Sequence, residues 1–214
     1  MADFTNSSQG YLYLITGPMF AGKSSKLIRL IRNFKSKNIF KGIWVWILAV
    51  VVLGTFWHFG YEIFAKNFVA GLVFPVNESV WEHQKIVYFP LLIAGIIAYF
   101  KSKPRNAGIW LGTLLGVVLA MLAVFFGFYL YSSIIGESLI ADILLFVASI
   151  ILGMYTAWWV TANFKNAKKL APLAIFGLVL LLGLLVYWTI RPPRSEPFIE
   201  KSSNTYGIDG SVAN

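Results

Sequence analysis

The residues best suited to chemistry in this chain are two histidines and three glutamates inside a long apolar region. Between Gly42 and Ile190 the sequence has only five acidic residues, and three of them lie near the two histidines of the chain. This polar cluster consists of His58, Glu62, Glu78, Glu82 and His83. Imidazole nitrogens and carboxylate oxygens bind zinc, manganese and iron, so the cluster is a candidate divalent-metal site. A metal with an open position could activate water for hydrolysis, with Glu78 or Glu82 as the candidate base.

The spacing of these residues favours short-range pairing. His58 and Glu62 are four residues apart, as are Glu78 and Glu82, and residues four apart share a helical face. Because ionisable groups at membrane depth tend to pair, a structural network between two helices is a second interpretation, and a proton or solute path is a third. The spacing does not match the metalloprotease helix pattern of two histidines flanking a glutamate. All three interpretations stay open.

The elements that must position this cluster are membrane helices. Of the 214 residues, 58% are hydrophobic and 13% are charged, and the mean hydropathy is +0.71, whereas a soluble domain is about one quarter charged. Five segments are long and apolar enough to span a bilayer, at approximately residues 43–64, 79–100, 107–131, 139–162 and 170–190. The sequence therefore predicts an all-α integral membrane bundle of about five transmembrane helices over residues 41–191. A flexible C-terminal tail is expected over residues 192–214.

Small residues in two of these segments predict close helix packing. The third segment has glycine or alanine at every fourth position from Gly108 to Ala120, and the fourth has Ser149, Gly153 and Ala157. Small side chains on one face allow two helix backbones to approach closely inside a membrane. We therefore expect a compact bundle in which these two helices are in contact.

The distribution of lysine and arginine predicts the orientation. Thirteen of the 18 basic residues lie before the first predicted span or in the loops on that side, and five lie on the other side. The positive-inside rule then predicts a multi-pass protein of the cell membrane, with its N-terminus in the cytoplasm, its C-terminus outside and the polar cluster at the outer face.

Most of the net charge of +9 comes from one basic segment. Seven lysines and arginines between residues 23 and 41 come directly before the first span, a position that suits anionic lipid headgroups. This placement favours the lipid bilayer as the partner, and no nucleic acid partner is expected. The chain has no cysteine, which excludes disulfides and zinc–thiolate sites.

Three stretches of the chain resemble a known family. They are the segment from His58 to Glu62, the run from Phe74 to His83, and the tail from Arg191 to Ile208. Together they resemble a bacterial family of small, uncharacterised multi-pass membrane proteins, over about residues 40–208. The resemblance implies a membrane bundle and no particular activity.

The N-terminal region carries a separate motif. Residues 11–16 alternate as in a strand, residues 17–24 match the phosphate-binding loop G-x-x-x-x-G-K-[ST], and a helical pattern follows, which is the context that this motif requires. In a working ATP site, the loop from Gly17 to Gly22 would hold phosphates with its backbone amides. Lys23 would reach the β and γ oxygens, and Ser24 would bind Mg²⁺.

Residues 14–29 resemble the beginning of the cellular and viral type of thymidine kinase. The resemblance implies nucleotide binding, but it ends near residue 38, and the parallel sheet, the magnesium-binding carboxylate, the catalytic glutamate and the cysteine zinc site of that family are missing. The sequence therefore argues against thymidine kinase activity. It favours a fused remnant over residues 1–40 that behaves as a basic amphipathic helix on the inner leaflet.

Overall fold

The structure, a computed structural model, describes residues 42–208 and the backbone of residues 211–212, and this part of the chain is mainly helical. Its helices are α1 (Ile43–His58), α2 (Gly60–Ile63), α3 (Phe68–Val73), α4 (Val80–Lys101), α5 (Gly108–Ile135), α6 (Leu139–Asn163) and α7 (Ala171–Ile190). A single 3₁₀ turn (Glu196–Phe198) and three short strands, β1 (Ile199–Glu200), β2 (Thr205–Tyr206) and β3 (Ser211–Val212), follow. The strands form an antiparallel sheet in the order β1-β2-β3. The phosphate-loop motif and the basic helix predicted for residues 1–40 lie outside the described residues.

Four helices in the described part of the chain, α4 to α7, are long and apolar enough to cross a membrane. Their bounds agree with the last four predicted spans to within one residue at most ends. The exception is α5, which continues to Ile135 instead of ending near residue 131. Within the bundle, α4 and α5 are central, because 44% of the most apolar stretch of each is buried, against 22% for α6 and α7.

The first predicted span, residues 43–64, differs from the structure. The helix α1 ends at His58 after 16 residues, a length of about 24 Å at 1.5 Å per residue, and the chain turns at Phe59 into the short helix α2. Gly60 allows this turn to pack, because a Cβ atom at this position would overlap the ring of Phe74. The hydropathy of the sequence stays high across this break, because the residues on both sides are apolar. The sequence pattern therefore does not reveal the break.

Although it is short, α1 runs antiparallel to α4 along most of its length. Near the start of α1, the ammonium of Lys101 lies 5.2 Å from the centroid of the Trp46 ring. At the other end, the ring of Trp57 stacks on Phe89 with 5.4 Å between centroids. The end of α1 is thereby held beside the start of α4, where the polar cluster is located.

The contact between α5 and α6 confirms the packing predicted from their small residues. An added Cβ atom on Gly112 would lie 2.5 Å from the carbonyl oxygen of Ala157, and one on Gly153 would lie 2.9 Å from that of Gly116. The two backbones are therefore in direct contact, and only small residues fit at the crossing.

The C-terminal segment, predicted as a flexible tail, packs against the bundle in the part that the structure describes. The buried ring of Phe198 lies 5.1 Å from the ring of Trp81 and 5.5 Å from that of Trp188. Near the end of the described segment, the backbone N–H of Ile208 donates to the carbonyl oxygen of Thr189 at 3.0 Å. These contacts place residues 196–202 over the end of the bundle that contains the histidines.

Candidate metal centre

Three residues of the predicted cluster come together where α1 ends and α4 begins. His58 is the last residue of α1, Glu78 precedes α4, and His83 lies in the first turns of α4. The start of α4 is fixed by Ser79, whose hydroxyl accepts the backbone N–H of Glu82 at 3.3 Å. The side chain of Asn77 accepts the backbone N–H of Ser79 at 3.1 Å. These two hydrogen bonds are the local capping signals that set the direction of α4 and hold Glu78 beside it.

The carboxylate of Glu78 lies between the two imidazoles. Its Oε1 is 3.5 Å from Nε2 of His58, and its Oε2 is 3.3 Å from Nε2 of His83. The centroids of the two imidazole rings are 5.4 Å apart, and one ligand atom from each of the three residues lies within 4.8 Å of the others. We call this group the triad.

The hydrogen bond at Nδ1 of His83 determines whether Nε2, on the other side of the ring, carries a proton. Nδ1 of His83 lies 2.9 Å from the carbonyl oxygen of Ser79, and because a carbonyl can only accept, Nδ1 carries the proton. In a neutral imidazole Nε2 is then a lone pair that faces the carboxylate of Glu78. Two lone pairs in this position require a proton or a metal ion between them. A backbone carbonyl that orients the imidazole through its other nitrogen is the arrangement usually found at metal-ligating histidines.

The distances between the three side chains are compatible with a long hydrogen bond and with a shared metal ion. Ligand atoms bound at 2.0–2.2 Å in a tetrahedral site are about 3.3–3.6 Å apart. The separations of 3.5 Å from His58 to Oε1 of Glu78 and 3.3 Å from His83 to Oε2 have these values, and a set with one ligand atom from each residue lies within 4.8 Å, so the side chains would move slightly closer to hold an ion. Good N–H···O hydrogen bonds are shorter, at about 2.7–3.2 Å. Two histidines and one glutamate also form the ligand set of one class of catalytic zinc site, which leaves the fourth position to water.

The surroundings favour the charged form of Glu78. The hydrogen bond to His83 lowers the pKa of the Glu78 carboxyl against the opposing effect of burial. A carboxylate is the form that binds a cation. The Glu78 side chain is also 59% exposed, so the triad is accessible from outside.

The other two predicted members of the cluster lie elsewhere. Because α1 ends at His58, Glu62 falls on α2, where its exposed carboxylate is 3.8 Å from the ammonium of Lys66. Glu82 points away from the histidines, and its Oε2 is 2.7 Å from Nζ of Lys85. The cluster read from the sequence therefore separates into an open triad, an exposed ion pair and a buried ion pair.

The buried ion pair belongs to a closed hydrogen-bond network. Glu82 and Lys85 are 2% and 0% exposed, and the ammonium of Lys85 also donates to the carbonyl oxygens of Gly71 (2.7 Å) and Phe74 (3.1 Å). The Oε1 of Glu82 accepts the hydroxyl of Thr189 at 2.7 Å, and its Oε2 accepts a backbone N–H from the loop before α4. All three protons of the ammonium are used, so this network is a latch that ties α4 to α7 and to α3. The three-residue spacing within α4 indicates the Glu82–Lys85 pair, but no sequence signal indicates Thr189.

The triad lies in the wall of a cavity of about 610 Å³. This volume is in the range of small-molecule sites. The cavity lies between α1, α4, α5, α6 and residues 196–202, and its lining includes the acidic residues Glu137, Asp142, Glu196 and Glu200 together with Lys201. Sequence reasoning missed these five as site residues, because they are 54 or more positions from His83 and only the fold brings them together.

Lys201 holds the C-terminal segment in place beside this cavity through ion pairs. Its ammonium lies 2.6 Å from a carboxylate oxygen of Glu137 and 3.4 Å from one of Glu196. The hydrogen bond to Glu137 raises the pKa of the Lys201 ammonium. Lys201 is therefore charged throughout the neutral range, and the segment is held to the loop between α5 and α6.

Comparison with known proteins separates the N-terminal segment from the rest of the chain. Residues 10–43 match a thymidine kinase family model. Over 30 residues the chain is 53% identical to the thymidine kinase of Yaba monkey tumor virus (strain VR587), a match that covers 14% of this chain and 17% of that relative. The chain thus spans about one sixth of the length of the curated relative that it matches. The matched residues include Gly17, Gly22, Lys23 and Ser24, whose structure is outside the described part.

No solved structure matches the chain. A second family model matches residues 31–208, which include the triad, the buried latch and the residues that line the cavity. Since this match covers most of the sequence, the chain belongs to a family of unknown function (DUF6512).

Proposed function

We propose that this protein is a multi-pass membrane protein that binds a divalent metal, zinc before manganese or iron, through His58, Glu78 and His83. The observation that carries the proposal is the triad itself. Nε2 of His58 lies 3.5 Å from one carboxylate oxygen of Glu78, and Nε2 of His83 lies 3.3 Å from the other. The triad faces a cavity, so a metal held there would keep an open position toward it. Metal-assisted hydrolysis is the activity that we propose for this site.

The membrane location is supported by the residues that face outward. Large apolar side chains are exposed along α1, α6 and α7, with Leu144 64% and Phe176 63% exposed. A soluble protein would bury such faces against another element. In a bilayer they contact lipid chains, and no further partner is needed.

The proposed orientation has the triad at the outer surface. α1 and α4 are antiparallel, so His58 and His83 lie at the end of the bundle opposite Lys101 and the basic loop that follows it. That loop and the basic segment before residue 42 belong to the cytoplasmic side by the positive-inside rule. We propose that the basic segment contacts anionic lipids of the inner leaflet.

The chain has no cysteine, so single-cysteine variants test this orientation directly. The substitution Ser202→Cys adds a thiol to the exposed C-terminal segment, and Lys103→Cys adds one to the exposed loop after α4. On intact cells, a membrane-impermeant maleimide should label the first variant and leave the second unlabelled until the cells are opened. The reverse pattern would overturn the orientation, and labelling of both would overturn the membrane topology.

Of the two candidate bases, only Glu78 belongs to the triad. Glu82 is held by Lys85 and Thr189 in the latch, and its carboxylate has no free position toward the cavity. Glu78 would help to hold the metal, and it is the remaining candidate to accept a proton from water bound there. The metal would supply the lowered pKa of that water.

The metal content of the purified protein tests the proposal. The wild type, loaded with zinc and then dialysed, should contain about one metal ion per chain by mass spectrometry, and the His58→Ala/His83→Ala and Glu78→Gln variants should contain none. Glu62→Gln is the matched control, because it removes a carboxylate from the same end of the bundle without touching the triad, and it should bind metal like the wild type.

Circular dichroism and gel filtration of each variant establish that it is folded. Absence of metal from a folded wild type that has been offered zinc, manganese and iron would overturn the proposal. Metal retained by the folded double-histidine variant would place the site elsewhere. Hydrolysis is tested separately with uncharged ester and amide substrates. The hydrolytic activity should disappear when a chelator removes the metal, and it should return when zinc is added back.

A further inference from the structure

The cavity beside the triad has two kinds of lining, which points to an amphiphilic ligand. One part of the wall is apolar and includes Val87, Val124, Phe128, Leu145 and Phe146. The other part is rich in acidic side chains from the loop after α5, the start of α6 and the C-terminal segment. A small hydrated cation would not need the apolar wall, and a hydrocarbon alone would leave the carboxylates without a partner.

The charge at the polar end is negative. Apart from Glu78, four carboxylates line the cavity, and Lys201 is the one lysine among the lining residues of the described chain. It pairs with Glu137 and Glu196. Asp142 accepts a hydrogen bond from the hydroxyl of Tyr131, and Glu200 accepts one from Ser203. Within the part of the chain that the structure describes, these two carboxylates form no ion pair.

An unpaired hydroxyl lies in the same wall. The Oη atom of Tyr129 is buried and has no hydrogen-bond partner among the described residues, although Tyr129 lines the cavity. Because this atom has no surface open to the cavity, it would reach a bound headgroup only after a shift of the Tyr129 side chain, and that shift would relieve the cost of its missing hydrogen bond. The two carboxylates that form no ion pair, Asp142 and Glu200, thus indicate a ligand with positive charge.

We infer that the cavity binds a cationic amphiphile, an amine headgroup carried on a hydrocarbon chain, with the ammonium near Asp142 and Glu200 and the chain against the apolar wall. The volume of about 610 Å³ accommodates a chain of moderate length together with its headgroup. The inference rests on the proposed function in one respect, because it names the ligand class for the cavity that the triad faces. It does not require the metal.

Binding of three matched probes to the full chain in lipid nanodiscs tests this inference. Octylammonium combines a chain with positive charge, octyl sulfate combines the same chain with negative charge, and ethylammonium has the charge without the chain. In calorimetric titrations corrected with empty nanodiscs, octylammonium should bind at least about tenfold more tightly than either of the other two. Equal binding of octylammonium and octyl sulfate would overturn the inference, as would equal binding of octylammonium and ethylammonium.

Two variants in opposite directions guard against loss of folding. The Asp142→Asn/Glu200→Gln variant should bind octylammonium about tenfold more weakly. The Ser202→Glu variant should bind it more tightly, because it adds a carboxylate to the cavity lining while Lys201 keeps its pairs with Glu137 and Glu196, and a gain of affinity cannot come from unfolding. Glu62→Gln, outside the cavity, should leave the affinity unchanged. Unchanged affinity in both cavity variants would overturn the inference.

The two proposals fail in different ways. The titrations are carried out after chelation and again after zinc loading. Octylammonium binding by a protein that takes up no metal would overturn the metal site alone. Zinc uptake by a protein that does not distinguish octylammonium from octyl sulfate would overturn the cationic ligand alone.

Discussion

Replacing Lys85 with methionine should destabilise the bundle more than any surface substitution, because it leaves a buried carboxylate unpaired. Lys85 is fully buried and its ammonium donates to Glu82, Gly71 and Phe74 at 2.7–3.1 Å. Methionine fills similar space but supplies no proton or charge. Three acceptors therefore lose their donor at the same time.

The magnitude follows from the burial of the remaining charge. Removing one partner of a buried ion pair costs about 3–5 kcal/mol, and the two carbonyl oxygens that lose the ammonium add to this cost. We therefore expect the free energy of unfolding to fall by at least about 3 kcal/mol. The double substitution Glu82→Gln/Lys85→Met removes the unpaired charge as well, so it should cost less than Lys85→Met alone.

The assay is unfolding in mixed micelles with increasing sodium dodecyl sulfate, followed by tryptophan fluorescence and circular dichroism. The matched control is Lys66→Met, which breaks the exposed pair with Glu62, whose side chains are 65% and 71% exposed. It should change the stability by less than about 1 kcal/mol. If Lys85→Met were as mild as Lys66→Met, or if the double variant were less stable than Lys85→Met, the latch would not be the structural element that we describe.

Three further outcomes are expected. Gly116→Ala should destabilise the bundle by about 1–3 kcal/mol in the same assay, because its Cβ would overlap the backbone of α6. Gly183→Ala has no atom within 4 Å of the added Cβ and should stabilise α7 by about 0.5–1 kcal/mol. Equal effects of the two substitutions would contradict the close crossing of α5 and α6. Lys201→Met should increase hydrogen exchange of backbone amides in residues 196–202 without changing exchange in α5 and α6, and unchanged exchange in the segment would refute the fastening role of the lysine. ATP retention on a filter should be the same for the wild type and Lys23→Ala, because the rest of a kinase fold is missing, and retention lost only in the variant would instead establish a working phosphate loop.

The sequence by itself determined the helical architecture and most helix ends. Apolar runs of about 20 residues predict helices without reference to a partner, and the capping serine Ser79 marks the start of α4 locally. The small residues of α5 and α6 also predicted their contact, because close approach depends on side-chain size alone. These features depend on neighbours along the chain.

The tertiary structure decided which polar residues act together. From the sequence, His58, Glu62, Glu78, Glu82 and His83 form one cluster, since spacing in the chain was the only measure of proximity. The break after His58 moves Glu62 away, and the side chain of Glu82 points toward Thr189, 107 positions later.

The cavity shows the same dependence on the fold. Its acidic end combines the loop after α5, the start of α6 and the C-terminal segment, which meet only when the helices have packed. Pairing between segments far apart in the chain depends on the packing of α4 against α7 and of the C-terminal segment on the bundle. No local pattern in the sequence carries that information.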